Sequence, residues 1–170
     1  MNTIADASAR IVAAARVWQG VADGPLVVAV DGHGAAGKTT LATEAAGTLG
    51  AVLLHTDDFF HMAREVPRDE LPMAQYYDWA RLRSEALEPA LADGASSILV
   101  EGVSAGTPAL SDLVTHSVFV QTPEAVRLAR LHGRITREEW DEDWLAVERL
   151  YFSSRPPDSF DLIVSGAHRA

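Results

Sequence analysis

The sequence predicts an α/β fold, a parallel β-sheet with helices on both faces. Three observations carry this expectation. Five short apolar runs recur along the 170 residues: 25–30, 51–56, 96–102, 115–121 and 160–166. Segments with helical patterning separate them. The runs are also too continuously apolar to leave one face in water, as expected of strands covered on both sides.

The elements follow in order. Residues 1–20 read as a helix, with Ile4, Ile11, Ala15 and Trp18 near helical spacing. Asp6, Arg10 and Arg16 interrupt this stretch and leave no long apolar run, so neither a signal peptide nor a membrane span is expected there. "PLVVAV" (25–30) is the first strand, followed by a glycine-rich loop and a helix from about Lys38 to Leu49. "AVLLHT" (51–56) is the second strand and ends on Asp57 and Asp58. Residues 76–94 read as a helix with Leu82, Ala86, Leu87, Ala90 and Leu91 on one face and a Gly94 stop. "SSILVEG" (96–102) and "THSVFVQ" (115–121) are the third and fourth strands. A helix then begins, with Thr122 as N-cap and Pro123 at its first position. Helical pattern resumes through "EEWDEDWLAVERLYF", and "FDLIVSG" (160–166) closes the sheet. Segments 62–75, with Pro67 and Pro72, and 153–159, with Pro156 and Pro157, read as irregular. With no repeat, low-complexity tract or linker, residues 1–170 are expected to form a single domain.

Composition narrows the function. The chain has no cysteine, which excludes disulfides and thiolate metal sites. A net charge of −10 argues against nucleic acid as a partner, and nothing suggests a membrane, so a cytoplasmic location is expected. Lys38 is the only lysine; the other basic residues are arginines.

That lysine sits in "VAVDGHGAAGKTTL" (28–41), which fits two phosphate-binding patterns. Gly32, Gly34 and Gly37 spell G-x-G-x-x-G, with Asp57 about 20 residues further on, as in dinucleotide binding. Gly32, Gly37, Lys38 and Thr39 spell the P-loop pattern G-x-x-x-x-G-K-T. Both put backbone N–H groups around an anion at a helix N-terminus. Lys38-Thr39 decides between them. A triphosphate needs an ammonium at its β/γ oxygens and a hydroxyl on Mg2+, and a dinucleotide helix needs neither. The P-loop NTPase fold follows. The nucleotide-binding set is then Gly32, His33, Gly34, Ala35, Ala36, Gly37, Lys38, Thr39 and Thr40.

In such a sheet, ligands gather at the carboxyl ends of the strands, where Gly32, Asp57, Glu101 and Thr122 fall. Thr39, Asp57 and Glu101 form an oxygen-rich set that suits Mg2+, directly or through water. His55 and His61 flank the aspartate pair without metal-ligand spacing, and His61 is a candidate for the acceptor site. Trp140, Trp144, Val147 and Tyr151 recur at helical spacing as a packing stripe. Glu138, Glu139, Asp141, Glu142 and Asp143 read as a solvated face.

With "GHGAAGKTT", "TDDFF", "VEG", "PEAVRLARLHGR" and "FDLIVSG" in place, the chain resembles the uridine kinase and phosphoribulokinase branch of P-loop kinases over most of residues 25–167. The resemblance implies an ATP-dependent small-molecule kinase, with Asp57 as base at the acceptor hydroxyl and Glu101 in the magnesium shell. It also implies Lys38, Arg127 and Arg130 as catalytic cations and Arg134 on ATP, in a lid spanning about 122–152. Asp58, Tyr77 and Asp78 would face the acceptor, Asp78 resembling the aspartate that holds ribose hydroxyls; an N-cap role for it stays open. Uridine kinases carry a β-hairpin before the strand matching "ILVEG" that helps recognise the pyrimidine, and here Gly94 runs into "ASSILVEG" without room for one. Nucleotide kinases and sugar or other alcohol kinases are the alternatives within the class. Outside it stands a nucleotide-dependent switch or binding protein. A guanine-reading Asn-Lys-x-Asp motif is excluded, because no lysine follows Lys38.

Overall fold

The computed structural model describes residues 3–60, 76–132 and 142–167. His61, the segment 62–75, Arg134, Glu138, Glu139, Trp140 and Asp141 lie outside the described residues, as do the side chains of Glu142 and Asp143.

All five expected strands form. They are β1 (Leu26–Asp31), β2 (Val52–His55), β3 (Ser97–Glu101), β4 (His116–Gln121) and β5 (Leu162–Ser165). They pair in the order β2-β3-β1-β4-β5, every pair parallel. The register aligns Val30 with Glu101 and His55 with Glu101, so the carboxyl ends of β1, β2 and β3 finish level with one another.

Strand periodicity explains why these runs are apolar throughout. On β1, Val27 and Ala29 join one core while Leu26, Val28 and Val30 join the other. On β3, Ile98 and Val100 face the first and Leu99 the second. Alternating side chains enter opposite layers, and both layers are buried.

Helices α1 (Ile4–Val21) and α2 (Lys38–Leu49) cover one face. α1 opens with a capping box in which Asp6 N–H donates to Thr3 Oγ1 at 3.1 Å and Thr3 N–H to Asp6 Oδ2 at 2.9 Å. Its buried side is Ala7, Ile11, Val12 and Ala15, whereas Ile4 is exposed. The other face carries α3 (Trp79–Leu82), α4 (Glu88–Ala92) and α6 (Glu142–Ser154), with α5 (Glu124–His132) following β4. A π-helical turn, Arg83–Leu87, joins α3 to α4. Pro89, just beyond it, has no N–H for the preceding turn and needs room for its ring, which accounts for the widened turn.

One expected cap is absent. Thr122 does not cap α5; its hydroxyl donates to the Ala36 carbonyl at 2.8 Å. The first turn of α5 is closed by Val126 N–H and Arg127 N–H, which donate to the Pro123 carbonyl at 3.0 and 3.1 Å. Among the described residues, no helix is long and apolar enough to cross a membrane.

Candidate active site

The glycine loop leaves the end of β1 and enters α2 through backbone conformations that need glycine at two points. Gly32 has φ +147°, and a Cβ there would sit 2.6 Å from the Val120 carbonyl oxygen. Gly37, at φ +97°, is the N-cap of α2. The Lys38 side chain is buried and lies across the loop, its Nζ donating to the His33 carbonyl at 2.9 Å. Thr39 Oγ1, one residue on, donates to Glu101 Oε1 at 3.0 Å. His55 Nδ1 lies 2.6 Å from the same Glu101 oxygen, where a carboxylate acceptor requires the ring N–H to donate. Glu101 is thereby fixed from two sides at the carboxyl edge of the sheet, although it is only 4% exposed.

Glycine also explains how Glu101 is brought so near the second strand. Gly102 adopts φ +148°, and a Cβ there would overlap the Thr56 hydroxyl. Gly102→Ala is expected to destabilise the fold by about 2–4 kcal/mol, from overpacking together with strain at positive φ. Urea denaturation checks this; a loss below about 0.5 kcal/mol would mean that the Thr56 side of the crevice yields freely.

The two arginines of α5 reach the loop. Arg127 is buried; its Nη1 donates to the Gly34 carbonyl at 3.3 Å and lies 3.6 Å from Glu148 Oε2. Arg127 Nε is buried and has no hydrogen-bond partner among the described residues. Arg130 Nη1 donates to the Ala35 carbonyl at 3.1 Å, and its Nη2 to the Gly166 carbonyl at 2.8 Å. Gly166 belongs to the close packing here, since a Cβ on it would overlap the Ala36 carbonyl and the Thr122 hydroxyl.

Two buried carboxylates at this loop were not anticipated from the sequence. Asp31, at the end of β1, is fully buried and accepts four hydrogen bonds. Gly32 N–H (2.7 Å) and Ser104 N–H (2.9 Å) donate to Oδ1, and Gly106 N–H (3.0 Å) and the Tyr151 hydroxyl (2.7 Å) donate to Oδ2. Burial pushes its carboxyl above the ordinary value, against these hydrogen bonds. Burial and the neighbouring Asp31 push the Tyr151 hydroxyl up as well. Tyr151→Phe removes one donor from this buried carboxylate and is expected to cost about 1–3 kcal/mol. Thermal and urea unfolding would read the loss, and a neutral result would mean that the remaining three N–H donors suffice. The second carboxylate, Glu148, accepts from Gly34 N–H at 2.6 Å and from His33 Nδ1 at 3.0 Å.

A bridge between Phe60 and Tyr77 sets the turn Thr56–Phe59 against the start of α3. Asp57 and Asp58 are exposed on that turn. Tyr77 is buried, its ring 4.9 Å from that of Trp79. Burial, and then the nearby Asp57 carboxylate, push its hydroxyl well above the usual tyrosine range. Asp78 Oδ1 accepts from Arg81 N–H at 2.9 Å and so caps α3. Phe60, Tyr76 and Trp144 meet in an aromatic corner, with ring centroids 5.4–6.2 Å apart. Trp144 and Val147 therefore pack as their stripe suggests, while Tyr151 adds a polar reach to Asp31.

The structure thus gathers Gly32, His33, Gly34, Ala35, Ala36, Gly37, Lys38 and Thr39 with Glu101, Arg127 and Arg130 through direct contacts. Thr40 is exposed on the first turn of α2. Asp57 lies on the turn that the Phe60–Tyr77 bridge ties to the start of α3.

A strand, a phosphate loop and a helix, in a parallel sheet covered on both faces, define the P-loop NTPase α/β fold. The AAA domain family profile matches residues 27–149, and the chain belongs to that family. Its fold is similar to that of a possible uridine kinase from Bacillus stearothermophilus: 16% identity, TM-score 0.65, 94% of this chain and 97% of that one. It is also similar to a sugar kinase from Janibacter sp. HTCC2649: 19% identity, TM-score 0.59, covering 84% and 86%. No curated protein matches the chain.

Proposed function

We propose that this protein is an ATP-dependent small-molecule kinase that transfers the γ-phosphoryl group to an acceptor hydroxyl. The observation that carries the reading is the convergence of Lys38, Thr39 and Glu101 with two α5 guanidiniums on one glycine loop. Phosphoryl transfer is mostly positioning and charge neutralisation, which this set of groups suits. Arg127 Nε, buried and unpartnered among the described residues, is a donor suited to an anion. The similarity in fold to a possible uridine kinase and a sugar kinase supports the same class.

The donor set fits Mg2+. Thr39 Oγ1 and Glu101 are hard oxygen ligands 3.0 Å apart, and magnesium takes few protein ligands beside phosphate and water. Thr39 and Glu101 would hold it, with Asp57 nearby through water, and it would supply charge neutralisation on the transferring phosphates. Lys38 would leave the His33 carbonyl for the β/γ oxygens. Asp57 would take the proton of the acceptor hydroxyl, with Arg127, Arg130 and Arg134 over the phosphates. Asp58, His61, Tyr77 and Asp78 would surround the acceptor.

For the acceptor, the short connection matters. α4 ends at Ala92 and β3 begins at Ser97, which leaves no room for a base-reading hairpin. A polyol or other alcohol with loose or no pyrimidine selectivity fits this better. The test is a metabolite-library screen for acceptor-dependent ADP release. An acceptor that raises ADP release well above the background supports the kinase reading. ATP binding with no responding acceptor would favour a nucleotide-dependent binding protein.

A further inference from the structure

Glu148 lies on α6, 114 residues away from Gly34 in sequence, yet its carboxylate is the partner of that loop's backbone. It is 1% exposed and accepts from Gly34 N–H at 2.6 Å and from His33 Nδ1 at 3.0 Å. Burial opposes its charge, but the His33 and Gly34 hydrogen bonds and the Lys38 ammonium more than offset this. The same residues face the lysine and the buried arginine: Lys38 Nζ donates to the His33 carbonyl, and Arg127 Nη1 donates to the Gly34 carbonyl while lying 3.6 Å from Glu148. One turn along α6, Tyr151 reaches Asp31 at the base of the loop. The helix therefore grips the loop at both ends of its first turn. His33 is further held against the Phe152 ring, with centroids 4.2 Å apart.

We infer that Glu148 is a positioning residue for nucleotide binding. It accepts from Gly34 N–H and so keeps the His33–Gly34 arm in the shape that places Lys38 and Arg127 for phosphate. This rests on the phosphate-loop reading above and adds a residue outside the glycine motif, supplied by the helix that follows α5. The essential property is a hydrogen-bond acceptor at the right reach, since two donors converge on one side chain that water cannot replace in so buried a place. Preorganisation of the loop then lowers the cost of ordering it around the ligand.

The experiment is calorimetric titration of the full chain with ATP and Mg2+, comparing wild type, Glu148→Gln, Glu148→Asp, Glu148→Ala and Lys38→Ala, with melting temperatures for each. Glu148→Ala is expected to weaken ATP binding about tenfold or more. Glu148→Gln, which keeps a carbonyl oxygen for Gly34 N–H and turns its amide NH2 to His33 Nδ1 once the neutral imidazole carries its proton on Nε2, is expected to stay within about threefold of wild type. Glu148→Asp, which keeps the charge but withdraws the acceptor by a methylene, is expected to fall with Glu148→Ala. The Gln and Asp variants decide the matter even where Glu148→Ala does not fold. A reversed order, Asp tight and Gln weak, would overturn the acceptor role. So would wild-type affinity in folded Glu148→Ala, whatever its melting temperature, while Lys38→Ala is still deficient. Wild-type protein that binds no ATP would overturn this inference together with the kinase reading.

Discussion

Lys38→Ala is expected to lower kcat/KM by roughly three orders of magnitude or more while the protein stays folded. The asymmetry comes from what the ammonium touches. Its hydrogen bond is to the His33 carbonyl, a group on the loop itself, and no strand or helix of the core depends on it. The stem is buried, so some packing is lost, but the expected cost is only about 1–2 kcal/mol for a partly apolar side chain. In turnover the same group is asked to offset charge on the β/γ phosphate oxygens, for which the chain has no second lysine. No arginine easily substitutes: Arg127 and Arg130 reach the loop from α5, not from the N-terminus of α2 where Lys38 sits. The check pairs acceptor-dependent ADP release, once an acceptor is found, with ATP titration and a melting curve. A folded Lys38→Ala protein that keeps most of its activity would sink the assignment of this loop to phosphoryl transfer.

Much of this arrangement is legible in the sequence for a physical reason. Strands buried on both faces must be apolar at every position, so Leu26–Val30 and Ile98–Val100 identify themselves. The Thr39–Glu101 contact follows from two local facts, a hydroxyl after the loop lysine and a carboxylate at the end of β3, once β3 is placed beside β1. The partnerships of Asp31 and Glu148 are a different case. Asp31 reads as the residue before a glycine loop, and only the fold shows that Ser104, Gly106 and Tyr151 converge on it. Glu148 lies in no motif of the sequence, yet it is among the most buried side chains. Its one local signal is its place in the stripe with Trp144 and Tyr151, since i+4 and i+7 put it on the same helical face as the packing residues. The Thr122 hydroxyl makes a bond that no local pattern signals, donating to the carbonyl of Ala36, which is distant in sequence. Asp78 shows the opposite outcome, with the local cap to Arg81 N–H forming as its position beside a helix start allows.

Asp57→Asn is expected to lower kcat by about two to four orders of magnitude, with ATP affinity within a few-fold of wild type, as loss of a general base. Asp58→Asn is expected to be much milder. The two carboxylates are adjacent and both exposed, so exposure does not separate them. Their surroundings do. After burial, the Asp57 carboxylate is what holds the Tyr77 hydroxyl above its ordinary range, and the Phe60–Tyr77 bridge ties this turn to the start of α3. The Asp57 carbonyl accepts from Phe60 N–H at 3.2 Å and so holds the turn. Thr56, the preceding residue, touches the backbone at Gly102, directly after Glu101. Asp57 is therefore one residue from the Glu101 edge of the sheet, where the phosphates and the acceptor hydroxyl would meet. An asparagine keeps the size and the turn but cannot take the acceptor's proton, so the loss belongs in kcat and not in nucleotide binding. Steady-state kinetics on the acceptor from the screen, with calorimetric ATP affinities for both variants, decide it. If Asp58→Asn proved the damaging change and Asp57→Asn the mild one, the base would be the second aspartate, and the acceptor would approach from the opposite side of the turn.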